Sequence, residues 1–250
     1  EYTHLTKSLR PLPEKFHGLT DVEERYRRRY VDLIMNPEAK HIALTRPKII
    51  RAIQHYLDGQ GLVEVETPVL QPILGGASAR PFVTHHNTLD MDFYMRIATE
   101  LPLKRLIVGG FEGVYEIGKN FRNEGMDKNH NPEFTCMELY VQYKDYNWMM
   151  GFTEKLLERI CIAVNGSTET TIDGKTISFK APYRRLPILD AIKEKTGYDL
   201  NGKSEEEIRQ VCRELKMEID DTMGKGKLID EIFGEFCEGT FIPVSYTHLR

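Results

Sequence analysis

The chain has 250 residues, with 34 lysines and arginines against 38 aspartates and glutamates, and a formal net charge of −4. This balance excludes a generally basic nucleic-acid coat protein. At 40% hydrophobic and 29% charged residues, the composition is typical of a soluble globular domain. No apolar run approaches the roughly 18 residues of a membrane span, and the N-terminus carries charges and prolines where a secretory signal is apolar. We therefore expect a cytoplasmic protein whose four widely spaced cysteines are free thiols in cores.

The N-terminal part of the sequence predicts a connector followed by two helices. Residues 10–13, Arg-Pro-Leu-Pro, cannot be helical and indicate a linker from an upstream domain. Apolar residues at helical spacing predict an amphipathic helix over residues 21–35, begun by a capping box at residues 20–23. The arginines at positions 25, 27, 28 and 29 could contact RNA phosphate. We favour the alternative that they lie on a helix face exposed to solvent or to another subunit. A second helix is predicted to end near residues 59–61.

The segment that follows predicts short strands and flexible loops. Residues 62–67 alternate like a half-buried strand, and Pro68 ends it because proline lacks the next ladder donor. Pro47 and Pro102 fit the first turns of helices. The remaining predicted elements are a small-residue loop at 71–80, strands at 82–84, 93–98 and 114–121, helices at 101–107, 145–164, 188–195, 204–215 and 227–237, and a small hairpin at 171–177.

The most informative segment is residues 114–143, where two alternating strands flank a polar loop and predict a long hairpin. On its second strand Thr135, Met137, Leu139 and Val141 share the face that we expect toward the core. The opposite face is polar, and side-chain parity assigns to it Glu116, Gly118, Asn120, Arg122, Phe134, Cys136, Glu138, Tyr140 and Gln142. Because a buried unpaired charge is unfavourable, this face needs partners or a ligand.

Several common catalytic motifs are absent from the sequence, including a P-loop, a dinucleotide fingerprint, a zinc-binding helix and a nucleophile elbow. The polar face suits a ligand that carries both signs of charge. Arg122 offers a planar fork for a carboxylate or phosphate, which His130 could share. Glu138 and Tyr140 could hold an ammonium group, and the Phe134 ring could stack on a base or a guanidinium. Each residue alone could be structural, but their shared face favours a binding site.

At these residues the sequence resembles the class II lysyl-tRNA synthetases of bacterial type. Phe-Arg-Asn-Glu at residues 121–124, with residues 130–135 and 137–140, resembles motif 2 of that family, which extends over about 114–143. Residues 61–68 resemble the end of motif 1, at about 45–68, and residues 75–86 resemble the amino-acid loop. The resemblance covers nearly the whole chain, from about residue 7 to about residue 242.

The resemblance implies an α+β fold, in which helices flank an antiparallel β-sheet that is incomplete at the C-terminus. It implies a linker at residues 1–16 from a missing anticodon-binding OB-fold domain, a catalytic domain at 17–242 with an insertion at about 197–225, and a non-family tail at 243–250. It also implies a homodimer formed through motif 1, with Pro68 at the interface. Motif 3 and the magnesium ligands of the family have no counterpart, so we expect no metal ligand in this fragment.

The resemblance also assigns roles to individual residues. Glu100 would hold the α-ammonium of L-lysine, Gly76 would bring backbone over it, and Glu138 with Tyr140 would face the ε-ammonium. Arg122, the catalytic residue, would bridge the lysine carboxylate and the α-phosphate of ATP. The other residues implied to bind ATP are Glu124, His130, Asn131 and Phe134, with Phe134 stacked on adenine.

The implied reaction is the ATP-dependent formation of lysyl-adenylate and the transfer of lysine to tRNA(Lys), with Mg²⁺ as the family's metal. Two alternatives remain open at this point. One is a lysyltransferase that modifies a translation factor, and the other is an inactive module that dimerises or binds nucleotide weakly. We expect the isolated fragment to be inactive.

Overall fold

The computed structural model describes residues 2–7, 9–13, 18–127, 130–172 and 174–237. The chain divides into two compact units, Glu1–Trp148 with Arg159–Thr168 and Met149–Glu158 with Glu169–Arg250. The tail expected at residues 243–250 lies outside the described residues. Within the described ranges, no helix has both the length and the apolar character that crossing a membrane requires.

Helices and short, mostly antiparallel strands alternate along the chain, which confirms the predicted α+β class. The helices are α1 (Val22–Arg27), α2 (Arg29–Met35), α3 (Pro37–Gly59), α4 (Glu100–Val108), α5 (Tyr146–Asn165), α6 (Ile188–Thr196), α7 (Glu205–Glu214) and α8 (Lys225–Phe236). The strands are β1 (Val63–Glu64), β2 (Leu70–Gln71), β3 (Val83–His86), β4 (Met91–Met95), β5 (Gly113–Phe121), β6 (Glu133–Val141), β7 (Glu169–Ile172) and β8 (Lys175–Ser178).

The prediction of a single helix over residues 21–35 is wrong, because the helix is interrupted at Arg28, which separates α1 from α2. The N-cap of α1 is Asp21, whose side chain accepts a hydrogen bond from the Glu24 N–H. The Asp32 carboxylate is fully buried and binds Arg25 Nε at 2.8 Å and Arg29 at 2.5 Å. In an unbroken helix, residues 25 and 32 would be about 10.5 Å apart along the axis. We attribute the break to the attraction of this carboxylate for arginines of both helices.

Helix α3 runs from Pro37 to Gly59 and ends as predicted. Pro47 lies inside the helix, so its predicted first-turn position is wrong. Pro102 lies in the first turn of α4 as expected, where a missing N–H costs little. The C-terminal end of α3 is tied to β5 by a 2.8 Å hydrogen bond from the buried Tyr115 hydroxyl to Asp58.

Two small sheets build the first unit. In the first sheet, of order β1-β5-β6, β5 pairs antiparallel with β6 and parallel with β1. The predicted strand at 62–67 shortens to β1, although Val65 N–H still donates to the Tyr115 carbonyl at 2.9 Å. The second sheet has the order β2-β4-β3 and is antiparallel. Both sheets contribute to the surroundings of the α4 N-terminus: Glu138 of β6 accepts from the Thr99 N–H, and Gly76, in the loop after β2, lies against Ala98 and Glu100.

The second unit contains the hairpin of β7 and β8 and the helices α6 to α8. The hairpin confirms the prediction for residues 171–177, although Asp173 itself is outside the described residues. The three helices enclose a core of Ala191, Ile192, Leu200, Ile208, Val211, Cys212, Leu228, Ile232 and Cys237. Part of the segment expected as an insertion, residues 197–225, therefore contributes to this core.

Candidate active site

The hairpin of β5 and β6 carries the predicted polar face. Its register pairs Glu116 with Glu138, Gly118 with Cys136, and Asn120 with Phe134. Residues directly opposite each other in an antiparallel pair point to the same side, so the predicted parity is confirmed. We call this surface the polar face, formed by Glu116, Gly118, Asn120, Phe134, Cys136, Glu138 and Tyr140, with Arg122 at its end.

Burial on the hairpin does not follow the predicted alternation. The polar-face residues Glu116 and Asn120 are 3% and 1% exposed, whereas all residues of β6 after Glu133 are only partly buried, on both faces. On the predicted core side, Arg46 of α3 donates to the Thr135 hydroxyl at 2.9 Å. Cys136 is likewise half-buried instead of lying in a core, and burial raises the pKa of its thiol. The polar face is thus the more deeply enclosed side of β5.

Glu138 is held by two neutral donors. Its Oε1 accepts from the backbone N–H of Thr99 at 3.1 Å, and its Oε2 accepts from the Tyr140 hydroxyl at 3.2 Å. Burial and the adjacent Glu138 carboxylate raise the pKa of the Tyr140 hydroxyl. Tyr140 therefore remains a hydrogen-bond donor at neutral pH. This arrangement orients the Glu138 carboxylate without cancelling its charge, which suits recognition of a cation.

Glu100 begins α4 immediately after Thr99, so the structure brings it to the same end of the polar face as Glu138. Its carboxylate pairs with Lys104 at 2.5 Å, and the Lys104 ammonium lies 5.7 Å from the centre of the Tyr140 ring. Gly76 packs against this segment at φ +90°. A Cβ atom on Gly76 would lie 3.1 Å from Ala98 Cβ and 3.2 Å from Glu100 Cβ. Only glycine therefore lets the loop backbone approach Glu100 so closely.

Arg122 lies at the other end of the polar face. Its guanidinium carbon is 5.1 Å from the centre of the Phe134 ring, a cation–π contact. Among the residues that the structure describes, two buried side-chain polar atoms have no hydrogen-bond partner, Arg122 Nε and Asn120 Oδ1. Buried polar atoms are normally satisfied. Both atoms belong to this one surface, so unused donor and acceptor capacity concentrates there.

The remaining predicted nucleotide-binding residues lie in the loop between the strands. The Glu124 carboxylate accepts from the Arg80 N–H at 3.3 Å and lines an open cleft of about 530 Å³ between residues 78–80 and 123–125. His130 is bonded to Asp127 at 2.7 Å, and Asn131 donates to the Glu133 carbonyl at 2.8 Å. These contacts hold His130 and Asn131 within their own loop, apart from the contacts that join Arg122 and Phe134.

Comparison with known proteins decides the family. Residues 21–223 match the model of the class II tRNA synthetases (D, K and N). The chain belongs to this family. It is 58% identical to proteins named lysine–tRNA ligase from Porphyromonas gingivalis, Christiangramia forsetii and Azobacteroides pseudotrichonymphae, over 98%, 97% and 98% of its length. It spans 44%, 44% and 50% of these relatives, about half their length.

One part of this candidate site was not predicted from the sequence. Arg96, which is 2% exposed, forms an ion pair with Glu116 at 2.5 Å. Thr67, next to Pro68, donates to the same carboxylate through its hydroxyl at 2.6 Å and its N–H at 3.2 Å. The unexplained charge of Glu116 on the polar face was the available signal. Arg96 could not be identified as the partner of Glu116, because it lies 20 residues away in the sequence and outside the hairpin.

Within the described ranges, no group of three or more histidine, cysteine, aspartate or glutamate side chains could hold a metal ion. Mg²⁺ is usually held by one or two carboxylates together with water and phosphate oxygens of the substrate, and no step below depends on it. Pro68 itself is exposed at the end of the motif 1 segment.

Proposed function

We propose that this chain forms the lysine-activating site of a lysine–tRNA ligase, with L-lysine, ATP and tRNA(Lys) as substrates. The observation that carries the proposal is the placement of opposite charges at the two ends of one face, Arg122 beside Phe134 and Glu138 beside Glu100. An amino acid with a cationic side chain and a carboxylate matches this distribution. The relatives' names agree with it and support neither a lysyltransferase nor an inactive module.

The charged groups of this face would bind different groups of the substrates. Glu138, oriented by Thr99 N–H and Tyr140, would bind the ε-ammonium of lysine, and Glu100 would bind the α-ammonium. A neutral side chain would cover the Glu138 carboxylate without supplying a cation, so the site would reject it by binding alone. Arg122 would contact both the lysine carboxylate and the α-phosphate.

The nucleotide would lie across Arg122 toward the open cleft. Phe134 would stack on adenine, and Glu124, His130 and Asn131 would seat the rest of the nucleotide. The buried Nε of Arg122 and Oδ1 of Asn120 would then gain partners from substrate.

The chemistry needs positioning more than it needs an acid or a base. A lysine carboxylate oxygen would attack the α-phosphorus, the bond from that phosphorus to the bridging oxygen would break, and pyrophosphate would leave. Arg122 would neutralise charge on the carboxylate and on the phosphoryl oxygens as they approach. The terminal ribose hydroxyl of tRNA would then attack the lysyl carbonyl, and AMP would leave.

We also propose that a second copy covers an apolar surface on the first unit. Six apolar side chains of α1, α2 and α3 are each 60–68% exposed, and they are Val22, Tyr26, Tyr30, Ile34, Ile42 and Leu44. Val69 and Leu70, beside Pro68, are also exposed. Large exposed apolar side chains on neighbouring helices are typical of an interface. The arginines of α1 and α2 are paired with Glu23, Glu24 and Asp32, so they leave the surface near neutral.

Pyrophosphate exchange tests the proposed activity. The protein expressed from the whole reading frame that encodes this chain should exchange pyrophosphate into ATP when lysine is present, and not when it is replaced by norleucine. Glu138→Gln should remove most of this activity, because the amide keeps the Thr99 hydrogen bond and loses the charge. Lys175→Gln, on β8 of the second unit, is the matched charge-removing control. Exchange that does not depend on lysine would refute the proposal.

Sedimentation tests the proposed homodimer. The same protein should sediment as a dimer, and Ile34→Asp should shift it toward the monomer, because a buried charge at an interface is costly. Leu9→Asp is the matched control, since Leu9 is 99% exposed and lies outside the apolar surface. A monomeric wild-type protein would refute this part of the proposal.

A further inference from the structure

The side chain of Arg96 connects three segments of the first unit beneath the polar face. Its Nε donates to the Lys119 carbonyl of β5 at 2.8 Å. Its Nη1 donates to Glu116 and to the carbonyl and hydroxyl oxygens of Thr67, at 2.5, 3.0 and 3.2 Å. A planar guanidinium can make this set of bonds at once, and an ammonium cannot. Arg96 therefore fixes the end of the motif 1 segment to β5.

The backbone of Arg96 continues the same connection. Its N–H donates to the Val69 carbonyl, and its carbonyl accepts from the Phe121 N–H, each at 2.9 Å. Phe121 directly precedes Arg122. Toward the C-terminus, the four buried residues 96–99 lead directly to Glu100. One residue thus holds the segment carrying Glu100 against the strand that leads to Arg122.

Close neighbours restrict the position of the Arg96 guanidinium. Gly118 lies directly beneath the guanidinium, and a Cβ atom there would overlap Arg96 Nη2. The facing carboxylates of Glu116 and Glu138 would repel each other across the hairpin, and Arg96 neutralises the first of them. The Arg96 side chain bonds to Glu116, Thr67 and Lys119, none of which is a proposed substrate contact, so we expect its effect on the reaction to pass through the residues that it holds.

We propose that Arg96 is a positioning residue that sets the distance of Glu100 from the hairpin, and thereby selects ligands that carry an α-ammonium group. This inference rests on the proposed function. In that function lysine engages the hairpin through Arg122 and Glu138, and it engages Glu100 in addition. A ligand without the α-ammonium group lacks the Glu100 contact, so displacement of Glu100 should weaken its binding less than that of lysine.

The test compares L-lysine with 6-aminohexanoate, which keeps the carboxylate and the ε-ammonium and lacks the α-ammonium. The protein from the whole reading frame is used, with KM for lysine and the inhibition constant of 6-aminohexanoate measured in pyrophosphate exchange. Thr67→Val keeps the side-chain shape but removes the hydroxyl that binds both Arg96 and Glu116. Thr67→Ser is the matched control because it retains that hydroxyl.

Thr67→Val should raise KM for lysine about tenfold, the effect of one misplaced charged hydrogen bond, and should raise the 6-aminohexanoate constant by a clearly smaller factor, because this ligand loses no Glu100 contact. Thr67→Ser should leave both constants near wild type. Arg96→Lys, a second variant, should show the same selective loss. An equal loss for both ligands, or no loss in either variant, would overturn the inference. Absence of lysine-dependent exchange in the wild-type protein would instead refute the proposed function.

Discussion

Substituting alanine at Gly118 tests how rigidly Arg96 is held. A methyl group at this position would overlap Arg96 Nη2 and lie 3.2 Å from Glu116 Oε1. The guanidinium would have to shift, and its 2.5 Å ion pair with Glu116 is 3–4% exposed at the two side chains. Breaking a buried ion pair costs about 3–5 kcal/mol, and accommodating an extra methyl by repacking costs about 1–3 kcal/mol. We expect Gly118→Ala to lower the free energy of unfolding by about 2–4 kcal/mol.

Urea unfolding followed by far-UV circular dichroism measures this effect. Gly59→Ala is the matched control, since Gly59 ends α3 and a Cβ there meets no atom within 4 Å. The control should be neutral or stabilising by up to about 1 kcal/mol. In an Arg96→Met/Glu116→Met background, Gly118→Ala should cost less than about 1 kcal/mol, because the overlapping group is gone. If Gly118→Ala unfolds like wild type, the guanidinium moves freely and the argument for Arg96 as a fixed anchor fails.

Three further predictions concern titration and helix capping. The pKa of the Tyr140 hydroxyl is raised above its usual value of 10.0, so the stability that this group contributes is complete below pH 10.0 and is lost as the pH rises above that value. Urea unfolding between about pH 9 and pH 11 should therefore show a smaller loss of stability for Tyr140→Phe than for wild type. The hydrogen bond from Asn36, together with the two arginine partners, lowers the pKa of Asp32 below its usual value of 3.8. The wild-type protein should therefore lose stability as the pH falls below 3.8, and acid unfolding of Asp32→Asn should not show this loss. Ser204→Ala removes the capping box with Glu207 and should lower the free energy of unfolding by about 1 kcal/mol in urea unfolding, where Ser78→Ala should not.

Local chemistry explains what could be predicted from the sequence. Alternation with a period of two specifies which side chains share a face, because the pleat is a property of the strand itself. The sequence could therefore predict that Phe134, Glu138 and Tyr140 share the polar face, with Arg122 beside Phe134. The start of α5 at Asp145 and the hairpin of β7 and β8 follow in the same way from capping and turn residues.

The features that sequence did not predict depend on distant contacts. The break at Arg28 requires Asp32 to be buried, and burial depends on tertiary packing. Helical spacing also predicted an amphipathic helix, yet its apolar side chains, among them Tyr26 and Tyr30, are largely exposed in the single chain. The spacing shows that a side chain is apolar but not what covers it. Arg96 was missed because its partners are 20 and 29 residues away.

The two facing glutamates show how the fold assigns different roles to identical groups. Glu116 is 3% exposed and its charge is balanced by Arg96, with Thr67 supplying two more donors. Glu138 receives only a backbone N–H and a tyrosine hydroxyl, which orient a carboxylate but carry no formal charge. Without Arg96, the two negative charges would repel across one register position. Arg96 therefore balances the charge of one glutamate, whereas the other has only neutral hydrogen-bond donors and can accept a cationic ligand.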